Sequence, residues 1–294
     1  MPLQGFVVMK IALGTVQFGL EYGVANTKGR VSENTAQDIL RLAHELGVDT
    51  LDTAAAYGTS EEVLGRSGVD AFKVISKIPS GKGHVGKPAN WVKYSISQSL
   101  SRLGCESIYG LLLHQPLDLF QPHGRELYDT LVDIKKQGLA KKIGVSVYGP
   151  DDLDKLAAFD FDLVQAPMNI LDRRIINSGW LERLRKQGTE VHIRSAFLQG
   201  LLLMQAHQRP EYFKPWQNLL SEYDNWVAVH KLTPLQACLG YLNDHPEINN
   251  IVVGVDTPSQ LREIVSAANT LTPAVPESIQ TNDLNLINPA LWSL

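Results

Sequence analysis

The chain has 294 residues, 44% of them hydrophobic and 20% charged, with a formal net charge of −4; this is an ordinary globular composition with enough apolar sequence for a large core. Acidic and basic residues are mixed along the chain, which argues against a nucleic-acid or membrane-surface partner. Two cysteines, Cys105 and Cys238, form no disulfide or metal framework, no run reaches the ~20 apolar residues of a membrane span, and MPLQGFVVMK lacks the parts of a secretory signal, so a cytoplasmic protein with reduced thiols is expected.

Residues 1–9 are read as an N-terminal extension, with Met9 a second candidate start, and the first strand-like run is KIALGTVQFG (10–19). A helix is predicted over ENTAQDILRLAHELG (33–47). Ser32 is its N-cap, Gly47 its stop, and Ile39, Leu40, Ala43 and Leu46 its apolar face. Strand VDTLDTA (48–54) and helix SEEVLGRSG (60–68) follow, then strand FKVISKI (72–78) and helix ANWVKYSISQSLSRLG (89–104). The pattern repeats with SIYGLLLHQ (107–115) and RELYDTLVDIKKQG (125–138), then AKKIGVSVY (140–148) and DDLDKLAAF (151–159). DLVQAPMN (162–169) precedes GWLERLRKQG (179–188), and TEVHIRSAF (189–197) precedes a long loop and helices within 215–245. INNIVVGV (248–255) and SQLREIVSAA (259–268) close the series.

Eight strands, each followed by a helix, imply a parallel sheet buried on both faces. Within about 260 residues that count fits a (β/α)8 TIM barrel better than an open doubly wound sheet. No G-x-G-x-x-G follows the first strand, so a Rossmann reading lacks its phosphate-binding turn. Residues 1–294 are read as one domain. Two regions break the rhythm: 198–214, long for a βα loop, and a tail over 270–294 read either as a strap packed on the barrel or as a substrate cover.

In such a barrel the chemistry sits where strands end. Polar residues stand there on several strands: Asp52, Lys77, His114, Ser146, Gln165 with Asn169, and Arg194 with Ser195, while Tyr57 lies just past the second strand. Singly, Asp52 reads as a helix cap, Lys77 as a rim charge and His114 as a satisfied core histidine. Together, Asp52, Tyr57, Lys77 and His114 suit protonation of a developing alkoxide. A phenol is a poor acid at neutral pH, and an adjacent ammonium favours its phenolate. A buried ammonium needs a counter-ion, which Asp52 supplies, and His114 can donate to a substrate oxygen. None of these groups carries a hydride, so a cofactor must bring it.

LGTVQFG, LDTAAAYGTSEEVLG, SKIP, LLLHQP, KKIGVSVY, VQAPMN and IVVGVDTPSQLREI together resemble the aldo-keto reductase superfamily over roughly residues 10–268. The resemblance implies an NAD(P)H-dependent oxidoreductase that reduces the carbonyl of an aldehyde, ketone or sugar, with Asp52, Tyr57, Lys77 and His114 as catalytic residues and Tyr57 as general acid. It implies NADP(H) or NAD(H) bound extended across the barrel mouth. Ser146 and Gln165 would meet the nicotinamide amide, with further cofactor contacts at Gly14, Thr15, Arg194, Ser195, Gly200, Gly254, Asp256, Thr257 and Gln260, and no metal. A small-molecule substrate and a monomer or small homo-oligomer are expected.

Three departures from the family pattern matter. Val147 stands where asparagine commonly follows the serine, and Gln115 where tryptophan often follows the histidine; the latter hints at a more polar substrate wall. At the site of the cofactor's 2′-phosphate the usual basic residue is missing, and the chain offers Asp256, Thr257 and Gln260, with only Arg262 nearby. Asp256 would repel a phosphate but accept from a free ribose hydroxyl, so a weak NADP preference and use of NAD are expected. Competing readings are a dinucleotide-binding regulatory module with little turnover, and a cofactor-free isomerase or lyase with Lys77 as a Schiff base. A metal hydrolase is disfavoured by the absence of H-x-H or H-E-x-x-H spacing. Substrate shape is expected to be set by loops around Tyr22, Trp91, 198–214 and the tail.

Overall fold

The computed structural model describes residues 10–24, 26, 29–81 and 87–293. Met9 and the rest of the predicted extension lie outside them. Eight parallel strands close into a barrel in sequence order, with β8 paired back onto β1. In chain order the elements are β1 Ile11–Gly14, α1 Val16–Gly19, α2 Glu33–Glu45, β2 Thr50–Asp52, α3 Ser60–Ser67, β3 Lys73–Ile78, α4 Pro88–Leu103, β4 Ile108–Leu113, α5 Gly124–Lys136, β5 Ala140–Ser146 and α6 Pro150–Leu156. There follow β6 Leu163–Pro167, α7 Arg174–Asn177, α8 Trp180–Lys186, β7 Glu190–Arg194, α9 Gln217–Val229, α10 Pro234–Asn243, β8 Asn250–Gly254, α11 Pro258–Ala267 and α12 Leu284–Ile287. No helix among the described residues is long and apolar enough to cross a membrane.

The local signals act as their chemistry requires. Ser32 caps α2 by accepting from Thr35 N at 3.2 Å, and Gly47 leaves the helix at φ +77°, a conformation costly for residues with a Cβ. The first run is not one strand. β1 ends at Gly14, Thr15 N and Oγ1 both donate to Asp52 O at 2.9 and 3.0 Å, and Val16–Gly19 coils into a helical turn. Other strands also stop short of their apolar runs: β6 ends at Pro167 and β7 at Arg194.

Alternation along each strand divides the core in two. One set, including Ile11, Leu13, Val74, Leu111, Leu113, Val145, Val164 and Ile193, faces the helices and packs with their apolar stripes. The other set fills the barrel axis, where Ile75, Leu112 and Leu163 form their own cluster. Gly110 and Gly144 make room for it: a Cβ on Gly110 would lie 2.7 Å from Ile75 Cδ1, and one on Gly144 would lie 2.8 Å from Leu112 Cδ2. At the opposite end from the mouth, Glu190 pairs with Lys142 and meets His192 and Tyr109. Burial pushes the Glu190 carboxyl up, but hydrogen bonds from His192 and Lys142 win and hold it down at about 2.

The tail is anchored on the barrel. Arg173 donates to Pro276 O and Ile279 O, both at 3.0 Å. Thr281 N donates to Leu171 O at 2.9 Å, and Trp292 packs edge-on against Phe213 with centroids 4.8 Å apart.

Candidate active site

The residue two positions beyond each axial core position is the one that reaches the mouth. Lys77 follows Ile75, His114 follows Leu112, Ser146 follows Gly144 and Gln165 follows Leu163; Asp52 and Arg194 stand in the same relation to Thr50 and His192. The strand twist and closure bring these side chains together above a hydrophobic plug. A cavity of about 680 Å³ opens there, lined by Asp52, Tyr57, His114, Ser146, Gln165 and Arg194 among others, within the size range of small-molecule sites.

Asp52 lines the cavity, whereas Lys77 does not and lies buried behind it. Lys77 is 1% and Asp52 3% exposed. Lys77 Nζ donates to Asp52 Oδ1 at 2.7 Å and to Thr53 O at 2.9 Å. The other carboxylate oxygen accepts from Gln165 Nε2 at 2.7 Å. Burial works against the ammonium, but Asp52, joined by Tyr57, outweighs it and raises Lys77 above its ordinary value. One ammonium hydrogen is left over, on the side of Tyr57, whose ring centroid is 5.0 Å from Nζ. Asp52 therefore does not cap a helix, and Lys77 is not a rim charge.

Tyr57 is placed by two glycines. Gly19 lies so close beneath it that a Cβ would meet Tyr57 O at 1.8 Å. Gly58 turns at φ +55°, where a Cβ would meet Gly19 O at 2.5 Å. The helical turn after β1 and the loop after β2 thus lie backbone against backbone, and Tyr57 projects over the mouth. Its ring meets His114 edge to face, with centroids 5.9 Å apart. Burial, then the Lys77 charge, pushes His114 down to about 4 against a smaller opposing pull from Asp52. At neutral pH the imidazole is therefore uncharged, with one N–H to donate.

The remaining expected positions divide. Gly14, Thr15, Ser146, Gln165, Arg194, Ser195, Gly200, Gly254, Asp256 and Gln260 all line the cavity. Thr257 does not: its hydroxyl accepts from Gln260 N at 3.3 Å and caps α11. Asn169 also stays out. Its Oδ1 accepts from Leu171 N and Asp172 N, and its Nδ2 donates to Ser195 O at 3.1 Å, so it shapes the turn that carries Ser195. Gln115 is exposed and outside the lining, because it follows His114 and points to the other face of the strand end; it does not make the wall polar. Trp91 is buried against Gly81 and likewise contributes no wall. Val147 packs in the helix-facing core. Arg262 sits beside Asp38, Arg41 and Glu45, away from the mouth.

Several lining residues escaped the strand-end logic. Gln17 enters from the turn after β1, and its Oε1 is buried with no hydrogen-bond partner among the described residues; Gly254 leaves room for that amide, since a Cβ there would lie 2.1 Å from it. Tyr148 follows β5, Glu263 comes from α11, and Asn288, Pro289 and Ala290 come from the tail. The tail is therefore both strap and wall. Gln199 and Leu203 join the expected Gly200 from the long loop to complete the cover.

A model of the Aldo/keto reductase family matches residues 10–283. An uncharacterized oxidoreductase from Bacillus subtilis is 25% identical over 290 residues, covering 89% of this chain and 88% of its own. The NADH-specific methylglyoxal reductase of Escherichia coli is 24% identical over 297 residues, covering 88% and 90%. Among solved structures, an aldo-keto reductase from Bacillus halodurans in its holo form superposes with a TM-score of 0.72 at 21% identity, covering 92% of this chain and 89% of that one; at that identity the likeness speaks to the fold.

Proposed function

The chain belongs to the aldo/keto reductase family, a family of oxidoreductases, and we propose that it reduces the carbonyl of a small polar aldehyde, ketone or sugar with Tyr57 as general acid and a nicotinamide dinucleotide as the hydride source. The observation that carries this reading is that Asp52, Tyr57 and His114 line a single cavity and that Lys77 contacts both Asp52 and the Tyr57 ring.

The residues present fit a dinucleotide. The unpartnered Gln17 Oε1 offers an acceptor to an amide or ribose hydroxyl, and Ser146 Oγ lies beside Gln165 Oε1 at 3.4 Å, ready to address a carboxamide. Ser195, Gly14, Gly200 and Gly254 would border the rest of it. When bound, the nicotinamide supplies hydride to the carbonyl carbon.

The protein's own part is proton and charge management. A substrate carbonyl oxygen between Tyr57 and His114 accepts the neutral imidazole's N–H, which orients it and stabilises charge building on oxygen. Tyr57 then gives its proton to that oxygen. The Lys77 cation stabilises the phenolate left behind, and Asp52 keeps Lys77 charged and fixed. Gln165 holds the second Asp52 oxygen, so the carboxylate cannot swing away from Lys77.

Two acids, Asp256 and Glu263, line the cavity wall, while Arg262 does not. This supports NAD over NADP, and the relative in Escherichia coli is named for NADH. Dissociation constants for NADPH and NADH measured by protein fluorescence test the point; a strong NADPH preference overturns it. For the mechanism, cofactor oxidation is followed over an aldehyde panel. Tyr57→Phe is expected to lower kcat at least ~100-fold, the scale of lost general acid catalysis, with the NADH dissociation constant within about threefold of wild type. Near-normal turnover in that variant removes Tyr57 from the role, and a wild type that binds NADH but reduces nothing favours the accessory-module reading.

A further inference from the structure

Beyond the four central groups, one charge on the cavity wall has no ion-pair counterpart among the described residues. Arg194 ends β7 and lines the cavity. Its Nη2 donates to Val147 O at 2.9 Å and its Nη1 to Ser195 Oγ at 3.3 Å. Its guanidinium lies 5.0 Å from the centre of the Tyr148 ring. These contacts use two of the five N–H donors of the group, and no carboxylate pairs with it among the described residues.

The position is built rather than incidental. The next residue, Ser195, is held at φ +63°, a left-handed conformation unfavourable for a non-glycine residue, and Asn169 pins its carbonyl. Leu198 and Gln199 are also left-handed, at φ +45° and +53°. The turn therefore leaves the strand abruptly, and Arg194 stays on the cavity wall.

Asp52 and Lys77 cancel, and His114 is uncharged at neutral pH. Arg194 lies close enough for its charge to act on both His114 and Tyr22. The acids Asp256 and Glu263 line the same cavity, but neither forms an ion pair with Arg194 among the described residues. Arg194 is thus a cation without an ion-pair partner among the described residues, in a partly desolvated wall, with planar donors suited to a carboxylate or phosphate.

We propose that Arg194 is the anion subsite of the substrate, so that the preferred carbonyl compound carries a carboxylate or phosphate a few bonds from the reacting C=O. This rests on the carbonyl-reductase reading above and narrows its substrate class.

The test uses a pair matched in length, succinic semialdehyde and butanal, with the full-length protein and NADH. The ratio of kcat/KM for the anionic over the neutral aldehyde is expected to be at least ~10 in wild type. It should fall at least ~10-fold in Arg194→Met, with partial recovery in Arg194→Lys; one lost charge-assisted hydrogen bond is worth about that factor. In parallel, binding of 4-hydroxybutyrate and of 1-butanol to the NADH complex is measured by titration calorimetry, which needs no turnover. Arg194-dependent binding of the carboxylate without any reduction would defeat the reductase reading and keep the anion subsite. An unchanged ratio together with Arg194-independent binding overturns the subsite. So does an NADH dissociation constant that rises in Arg194→Met as much as the carboxylate's, since the cation would then serve the dinucleotide.

Discussion

Removing the Lys77 ammonium should destabilise the whole barrel as well as the chemistry. Lys77 and Asp52 are almost fully buried and 2.7 Å apart. At an effective dielectric constant near 20 their gross attraction is about 6 kcal/mol, most of it offset by the cost of desolvating both ions. Lys77→Met fills similar volume but leaves a buried carboxylate short of its cation, which typically costs about 3–5 kcal/mol. Gln165 still donates to Asp52 Oδ2, so the lower end, about 3 kcal/mol, is expected. Asp52→Asn strands the ammonium in the same way. The double variant removes both charges and so strands neither, and should be less destabilised than the sum of the singles by about 2 kcal/mol. Urea unfolding of the four proteins, followed by tryptophan fluorescence, measures the cycle. Single-variant losses below about 1 kcal/mol, or additivity within ~0.5 kcal/mol, would refute the picture of a buried, mutually dependent pair.

His114 gives a pH signature. Its folded value, about 4, lies below the ordinary 6.5, so the unfolded chain binds a proton that the folded one refuses. Stability is therefore unaffected by this group above pH 6.5 and falls as pH drops toward 4, by up to about 3 kcal/mol. His114→Gln should flatten that part of the stability profile, and an NMR titration of His114 with a midpoint between 6 and 7 would contradict it. Gly19→Ala tests the seat of Tyr57: a Cβ 1.8 Å from Tyr57 O must displace backbone, so carbonyl reduction should fall at least ~10-fold, the usual scale for a misplaced catalytic group. A Gly19→Ala protein with wild-type kcat and thermal midpoint would show that the loop tolerates the shift.

Much of the architecture was legible in the sequence because its signals are local. Apolar runs alternating with amphipathic stretches specify strands and helices, and Ser32, Gly47 and Gly104 punctuate them through single-residue preferences. Eight repeats of that rhythm left few ways to bury a parallel sheet on both faces. The strand-end polar residues were visible for the same reason, since they interrupt apolar runs at a fixed place.

What the chain order could not contain was direction. Whether a polar residue near a strand end faces the axis or the helices depends on register and on where each ladder stops. Gln165 came inward and Asn169 did not, although only four positions separate them, because β6 ends between them at Pro167. Gln115 turned away for the same reason that His114 turned in. Gln17, Glu263 and Ala290 reached the cavity from elements far apart in sequence, brought there by barrel closure and the anchoring of the tail through Arg173. The sequence by itself determined the elements and the inventory of reactive groups, since those follow from residue type and short-range spacing. The tertiary structure alone decided which groups share one buried volume and which charge is left without an ion-pair partner among the described residues, because distance and desolvation are properties of the closed barrel.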